Sequence, residues 1–277
     1  GGLGDIFMHR MMFEDIKALW PECELIFACQ KKYHDAVADH PYLDSVIELH
    51  EANPLDYVVA YNTTSACTRH EMKVAPFSDK HRSDIWASHC GLTLKNHNMH
   101  FNLDESYKVK AKQKIADLCG NKPALCLCPI SAMKVKNLLP HQMRGLVDGL
   151  RARGFFVFAL HHVEIPELKE IFVPTFTGLS TKEWMGTIDA SDYVVTVDTA
   201  AFHYAGGTGK PMTAIFTAFD GKVYGKYYDF KLVQMHRDDG WDCGPCYVYN
   251  SCPKCPKTPK PCQTELTVEM MLKTIPE

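Results

Sequence analysis

The stretch VDTAAFHYAGGTGKP, Val197 to Pro211, decides how this chain is built. The β-rich run 193–197 comes directly before Asp198, and residues 201–205 have the pattern of the first turns of a helix. Glycines end that helix, and a second apolar run occupies 212–216. A strand that leads straight into a helix presents unpaired N–H groups and the positive end of a helix dipole. The stretch therefore predicts an α/β fold with an anion site of the kind that holds phosphate or pyrophosphate.

Three residues at this turn are the candidate anion ligands: Asp198, Thr199 and Ala200. His203 lies one turn into the helix, from where its ring could reach the same anion. The competing interpretation is an ordinary strand–turn–helix in which Asp198 or Thr199 caps the helix and the histidine packs in the core. Spacing alone does not separate these two interpretations.

The longer stretch VDTAAFHYAGGTGKPMTAIF, residues 197–216, resembles the nucleotide-sugar signature of the heptosyltransferases, glycosyltransferase family 9. In that family a strand ends in Asp-Thr, followed by a small residue, a histidine, a run of small residues and a proline. The family usually has glycine after the threonine, where this chain has Ala200. The resemblance extends over nearly the whole chain. It implies the GT-B architecture, in which two Rossmann-like α/β domains face each other across a cleft.

Length and composition fit this expectation. The chain has 277 residues, which suits two domains, and 46% of them are apolar. The helix stop and turn at 120–123 divide it into an N-terminal acceptor domain, 1–120, and a nucleotide-sugar domain, 121–277. No apolar run reaches 18 residues, and the net charge of −3 argues against a nucleic-acid partner. Scattered cysteines without a disulfide framework predict a cytoplasmic protein.

The first residues, GGLGD, predict a glycine-rich loop that leads into a helix over 6–19, with Asp5 as its N-cap. Such a loop normally follows a strand, and here the sequence starts at the loop itself. By resemblance, Asp5 matches the proposed catalytic base of the family, and Gly4 belongs to the loop that borders the nucleotide sugar. A plain N-cap is the alternative role for Asp5. Starch and glycogen synthases also begin with GGLGD, so this motif does not choose the substrate.

Alternating elements follow. Strands are predicted over 24–29, 45–49 and 57–61, with a short helix over 31–38, and this alternation indicates a parallel sheet. The polar segment 62–83 is predicted to be an irregular loop that either binds the acceptor or is simply solvated.

The second domain supplies further candidates through the resemblance. Ser131 matches a hydroxyl residue that contacts the phosphates of the sugar nucleotide, and Lys136 matches a lysine that offsets charge on the departing diphosphate. Lys134 is the alternative lysine, and solvent exposure of both is the competing interpretation. Glu183 starts a helix near the expected nucleotide ribose, although its place in a capping box explains it without a ligand. The loop 217–221 departs from the family pattern, which leaves the recognition of the sugar open.

Five cysteines lie within 243–262. Paired C-x-x-C turns can place four thiolates on one tetrahedral metal, which closes a structural site. We predict structural zinc or iron there, with free thiols and then disulfides as alternatives. Autotransporter heptosyltransferases, a related branch, hold iron in a cysteine finger at this place. The predicted ligand set is Cys243, Cys246, Cys255 and Cys262, with Cys252 as a competitor.

Together these patterns predict an inverting, metal-independent glycosyltransferase. The resemblance implies an ADP-heptose type of donor and a hydroxyl acceptor on a glycan, a lipid-linked glycan such as lipopolysaccharide, or a protein. Lysines spaced by prolines in the cysteine-rich segment could touch an anionic membrane surface. Two alternatives stay open: another GT-B sugar-nucleotide enzyme, such as a glucan synthase or an epimerase, and a non-catalytic carbohydrate-binding relative.

Overall fold

The computed structural model describes residues 2–236, 238, 240, 244–246, 257 and 259–277. Its first half begins with two short helices, α1 (Leu3–His9) and α2 (Phe13–Leu19), joined by a 3-10 turn. The strands β1 (Ile26–Cys29) and β2 (Ser45–Glu48) then pair in parallel, with Ile26 opposite Ser45. Three helices complete this half: α3 (Ala66–Val74), α4 (Arg82–His89) and α5 (Glu105–Cys119).

The second half is a six-stranded parallel sheet with helices between its strands. The strands are β3 (Ala124–Cys128), β4 (Phe156–Leu160), β5 (Thr175–Phe176), β6 (Tyr193–Val197), β7 (Met212–Ile215) and β8 (Lys231–Val233). The helices are α6 (Pro140–Ala152), α7 (Pro166–Lys169), α8 (Thr181–Ala190), α9 (Ala200–Thr208), α10 (Gly221–Tyr224), α11 (Pro261–Thr264) and α12 (Val268–Leu272).

The strand order β5-β4-β3-β6-β7-β8 contains one reversal. From β3 the chain moves outward through β4 and β5, then crosses back to β6 and moves outward on the other side. The connections after β3 and β6 therefore leave in opposite directions and open a crevice at their carboxyl ends. This switch point is where open α/β sheets bind their ligands.

The two central strands, β3 and β6, are buried along their whole length, as expected for a parallel sheet that helices cover on both faces. Successive residues contribute to opposite faces: Cys126 belongs to one apolar cluster and Leu127 to the other. The cluster that contains Cys126 also contains Phe7 and Trp86 from the first half. The core on this face of the sheet therefore continues into the first half of the chain.

The start of the chain differs from its prediction. Helix α1 begins at Leu3, with Gly2 as N-cap, so Asp5 lies inside the first turn and is not the cap. Its carboxylate reaches back, and its Oδ2 accepts a hydrogen bond of 2.9 Å from the N–H of Gly2. A carboxylate in the first turn stabilises a helix by satisfying one of the unpaired N–H groups there.

Two further predictions in the first half were wrong. Residues 57–61 form no strand, and Val58 is fully exposed; among the described residues the small sheet consists of β1 and β2, so this apolar run has no strand to pair with. The segment 62–83 is not wholly irregular, because it contains α3. That helix buries Ala66, Cys67 and Glu71 on one face.

The domain boundary at 120/121 stays a prediction. Helix α5 lies before it in sequence and packs on α8 of the second half: a side chain added at Gly186 would place its Cβ 2.7 Å from the backbone carbon of Tyr107. Within the described residues, no helix combines the length and the apolar character that a membrane-crossing segment requires.

Candidate active site

A cavity of about 690 Å³ opens at the carboxyl ends of β3 and β6, where the sheet topology reverses. Residues that follow these two strands line it, together with α1 and Arg82 of the first half. The predicted site residues that line this cavity are Gly4, Asp5, Ser131, Lys136, Asp198, Thr199, Ala200 and His203. Lys134 and Glu183 do not line it. Lys134 is exposed, and the Glu183 carboxylate accepts hydrogen bonds from the N–H and hydroxyl of Ser180.

The N-terminus of α9 lines the cavity. Thr199 is its N-cap, and its Oγ1 accepts a hydrogen bond of 3.1 Å from the N–H of Ala201. The other N–H groups of the first turn have no acceptor within the helix, and they carry the positive end of the dipole. Ala200, where the family usually has glycine, is the first helical residue. A right-handed helical backbone accepts alanine without strain, so this difference leaves the amides in place.

Lys136 lies beside this helix end, on the 3-10 turn that follows β3. Its Nζ is 2.7 Å from Oδ2 of Asp198 and 4.4 Å from the ring centroid of Phe219. This contact with Asp198 is an ion pair. It does not have the geometry of a hydrogen bond, and Oδ2 has no hydrogen-bond partner among the described residues. Only 6% of the Asp198 side chain is exposed. The ammonium group is thus held at the end of the cavity where the α9 amides lie.

Helices α1 and α9 touch at Gly4. A Cβ added there would lie 2.7 Å from Cδ2 of His203 and 3.5 Å from the Cα of Ala200. Glycine is therefore needed for close helix contact. Its neighbour Asp5 is carried to the same cavity by this contact.

His203 is buried at the same contact. Burial lowers its pKa to about 4, against the opposing influence of Asp198 and Asp5, and Arg82 and Lys136 lower it further. Its Nδ1 lies 3.1 Å from the hydroxyl of Tyr228. At neutral pH the imidazole is therefore uncharged, so it can exchange hydrogen bonds but adds no positive charge to the cavity.

The contact at Gly4 leads to a prediction about stability. We expect Gly4→Ala to lower the free energy of unfolding by about 1–3 kcal/mol, because the added methyl group overpacks the helix contact. Calorimetry should show a lower Tm, by roughly 2–4 °C per kcal/mol for a chain of this size. Gly2→Ala is the matched control, since a Cβ at Gly2 would meet nothing within 4 Å. Equal Tm values for the two variants would contradict the close contact.

Asp5 is paired with Arg82, a residue at the start of α4 that also lines the cavity. Arg82 Nη1 donates a hydrogen bond of 2.7 Å to Oδ1 of Asp5. Burial alone would raise the pKa of Asp5, but the charge of Arg82 and the hydrogen bonds from Gly2 and Arg82 outweigh it and lower the pKa below its ordinary value. Asp5 is therefore ionised at neutral pH and can accept a proton.

Arg82 is itself held in place by Glu71. Its Nε and Nη2 donate to the two carboxylate oxygens of Glu71, at 2.9 and 3.0 Å. The hydroxyl of Tyr224, from α10 of the second half, donates to Oε1 of Glu71 at 2.7 Å. The guanidinium carbon lies 5.3 Å from the centroid of the Tyr224 ring. A chain of contacts thus leads from the second half to Asp5.

The sequence interpretation missed Arg82, Glu71 and Tyr224 as site residues. Arg82 stands in the basic run of 62–83, which was the available signal, whereas nothing near Glu71 or Tyr224 points to a site. It also missed the apolar end of the cavity, which is lined by Leu160, Phe176, Leu179 and Trp184. These four residues read as ordinary core positions in the sequence.

The metal prediction stays a prediction. Cys243 and Cys255, and the competitor Cys252, lie outside the described residues. Cys246 and Cys262 are described, and Cys262 is buried in α11. The described part of the chain contains no group of three or more metal-binding side chains.

Comparison with known proteins gave matches to solved structures. No protein-family model matches the sequence, and no curated protein matches it. A glycosyltransferase of family 9 from Veillonella parvula superposes with a TM-score of 0.72 at 13% identity, over 99% of this chain and 93% of that one. ADP-heptose LPS heptosyltransferase II of E. coli has a TM-score of 0.70 at 13% identity, over 98% and 94%.

A third similar structure is the dodecameric iron-containing heptosyltransferase TibC of enterotoxigenic E. coli, in complex with ADP-D-β-D-heptose. Its TM-score is 0.70 at 13% identity, over 99% of this chain and 72% of that one. Identities this low show the fold. The predicted architecture is thus confirmed: the chain has the GT-B fold of the family 9 glycosyltransferases and heptosyltransferases.

Proposed function

We propose that the protein is an inverting glycosyltransferase that moves a sugar from a nucleoside-diphosphate sugar, of the ADP-heptose type, to an acceptor hydroxyl. One observation carries this proposal: the amide end of α9 and the ammonium group of Lys136 lie in the same cavity as an ionised carboxylate, Asp5. A positive end and a basic group in one cavity are what sugar transfer from a diphosphate requires.

The donor fits the cavity by its chemistry. A volume of about 690 Å³ lies in the range of small-molecule sites. The diphosphate would lie at the first turn of α9, with Lys136 and the Ser131 loop beside it. The apolar end, which contains Phe176 and Trp184, offers a surface for the nucleobase. ADP and ADP-heptose are bound by structural relatives of this chain, which favours adenine as the base.

In the proposed reaction, Asp5 accepts the proton of the acceptor hydroxyl while that oxygen forms a bond to the anomeric carbon. The bond from the anomeric carbon to the diphosphate oxygen breaks, and its electron pair leaves with the nucleoside diphosphate. The added negative charge is stabilised by the α9 amides and Lys136. A single displacement of this kind inverts the anomeric centre, and protein groups alone meet the charge of the leaving group.

The acceptor would approach from the side of Asp5, between α1 and the start of α4. The proposed acceptor is a glycan, a lipid-linked glycan or a protein hydroxyl. A cytoplasmic location, with or without contact to a membrane surface, is part of the same proposal, as is structural zinc or iron in the cysteine-rich segment.

Nucleotide binding tests the proposal first. We expect ADP at a hundred times its Kd to stabilise the protein by about 2.7 kcal/mol, which raises the Tm by roughly 5–11 °C. AMP should stabilise less, because it lacks the β-phosphate that the α9 amides and Lys136 would bind. UDP and GDP test the choice of base. Product analysis by mass spectrometry with ADP-heptose and a glycan acceptor then tests transfer.

The outcomes separate the alternatives. A stronger response to UDP or GDP would indicate another GT-B sugar-nucleotide enzyme. No response to any of the nucleotides would contradict the transferase and favour a non-catalytic carbohydrate-binding relative.

A further inference from the structure

We infer that Arg82 is a positioning residue of the proposed transferase: anchored by Glu71 and Tyr224, it holds the Asp5 carboxylate in place at the cavity. This inference rests on the proposed function, in which Asp5 is the base, and assigns the role of a residue that the signature motifs do not include.

The geometry leaves little freedom to either carboxylate. Arg82 uses Nε and Nη2 for a two-pronged contact with Glu71 and Nη1 for Asp5, so its planar guanidinium fixes both in one plane. Glu71 is 1% exposed and cannot serve as a base for an entering acceptor. Asp5, whose side chain is 17% exposed and lines the cavity, can.

The charge of Arg82 lowers the pKa of Asp5. Burial raises the pKa of Asp5, and Arg82 is the largest opposing influence. The other described groups near Asp5 are the N–H of Gly2, the ring of His9, whose Nδ1 contacts the Asp5 backbone oxygen at 2.7 Å, and the thiol of Cys67. Burial raises the pKa of Cys67, so this thiol is uncharged near pH 7. Burial holds the pKa of His9 at about 4, so it is neutral near pH 7. His203 also acts on Asp5 at longer range and is neutral as well. Among the described residues, Arg82 is thus the group that lowers the pKa of Asp5 most.

The second half contributes through Tyr224. Its hydroxyl bonds Glu71, and its ring faces the guanidinium group. The arginine that orients Asp5 is therefore itself oriented by the half of the protein that carries the diphosphate end of the cavity. Asp5 is correctly aimed only while α10 lies against α3 and α4.

Titration of Asp5 in variants tests the inference. In Arg82→Gln, a hydrogen-bond donor remains but the charge is lost, so we expect the pKa of Asp5 to rise above its ordinary value. Carbon-13 NMR of the aspartate carboxyls, with Asp5 assigned through Asp5→Asn, measures this directly. In the pH profile of kcat/KM, activity should be lost as pH falls through this raised pKa, whereas the wild type should show no such fall down to about pH 5.

The kinetic split distinguishes positioning from a purely structural role. We expect kcat of Arg82→Gln near neutral pH to fall about 10- to 100-fold, the size seen for residues that orient a functional group. The Kd for ADP and the KM for the donor should stay within about twofold, since Arg82 is not placed at the diphosphate. Arg82→Lys keeps the charge and should restore the wild-type pH profile.

Stability requires a matched variant, because Arg82→Gln leaves the Glu71 charge buried and unpaired. Glu71→Gln/Arg82→Gln removes both charges and should show the same raised pKa of Asp5 if the single variant unfolds. Arg144→Gln, an exposed arginine of α6 that pairs with Glu170, controls for loss of a surface charge. An unchanged titration of Asp5 in Arg82→Gln and in Glu71→Gln/Arg82→Gln would overturn the inference. If the wild type transferred no sugar but the variants showed the expected shift in the titration of Asp5, only the proposed function would be contradicted.

Discussion

Asp5→Asn should abolish sugar transfer, with kcat lower by about 10³-fold, because a positioned general base contributes roughly 10²- to 10⁴-fold to such reactions. The asparagine retains an oxygen that can accept the hydrogen bond from Gly2, so α1 keeps its first turn. Arg82 also stays in place in this variant, because its hydrogen bonds to Glu71 do not involve residue 5. The loss should therefore be one of chemistry, measured as product formed per minute at saturating donor and acceptor.

The Kd for ADP is the decisive companion measurement. It should be unchanged or slightly tighter in Asp5→Asn, because removing a carboxylate from the cavity removes repulsion toward a diphosphate. Asp148→Asn, an exposed aspartate of α6, is the matched control and should transfer sugar at the wild-type rate. If Asp5→Asn kept kcat within a few-fold of the wild type, the carboxylate would not be the base, and the proposed mechanism would be wrong.

Lys136→Met should lower kcat by about 10²-fold, the effect of removing one group that stabilises developing negative charge. Methionine keeps an unbranched apolar stem but removes the ammonium nitrogen, and with it the cation–π contact to the Phe219 ring. Affinity for ADP should also fall, because the ammonium group acts on the bound diphosphate and not only on the departing one. Stopped assays of product and calorimetric titration with ADP measure the two effects separately.

The Lys136→Met variant needs a control for stability, because it leaves the buried Asp198 carboxylate without its counter-charge. Lys136→Met/Asp198→Asn removes both charges and should recover stability without recovering kcat. Lys134→Met tests the alternative lysine, which is exposed and does not line the cavity, and its effect should be much smaller. A larger effect from Lys134 than from Lys136 would contradict the assignment.

The part of the cavity that we propose to bind the donor could be predicted from sequence, because its residues are close together in the chain. The Asp-Thr turn after β6 and the capped start of α9 depend on residues that are adjacent in the chain, so spacing alone suggests them. Resemblance then added Ser131 and Lys136, which the parallel pairing of β3 with β6 brings beside that turn. Whether each contacts a ligand stays a prediction.

The proposed acceptor side of the cavity, around Asp5 and Arg82, could not be predicted in the same detail. Arg82 reaches Asp5 across 77 positions of sequence, and Tyr224 reaches Glu71 across 153. No periodicity or local motif encodes contacts of that separation. The apolar run at 57–61 illustrates the complementary limit, since its β-branched residues suit a strand but a strand also needs a neighbour to pair with.

The switch in strand order between β3 and β6 has a consequence for engineering. Two short connections, 129–133 and 198–200, contribute residues to the lining of the cavity and emerge from strands that are buried along their whole length. Grafting these connections from a relative with a different sugar-nucleotide preference would exchange recognition chemistry while leaving the scaffold untouched. Under the proposed function, the residues that contact the diphosphate could therefore be exchanged separately from the strands that form the core.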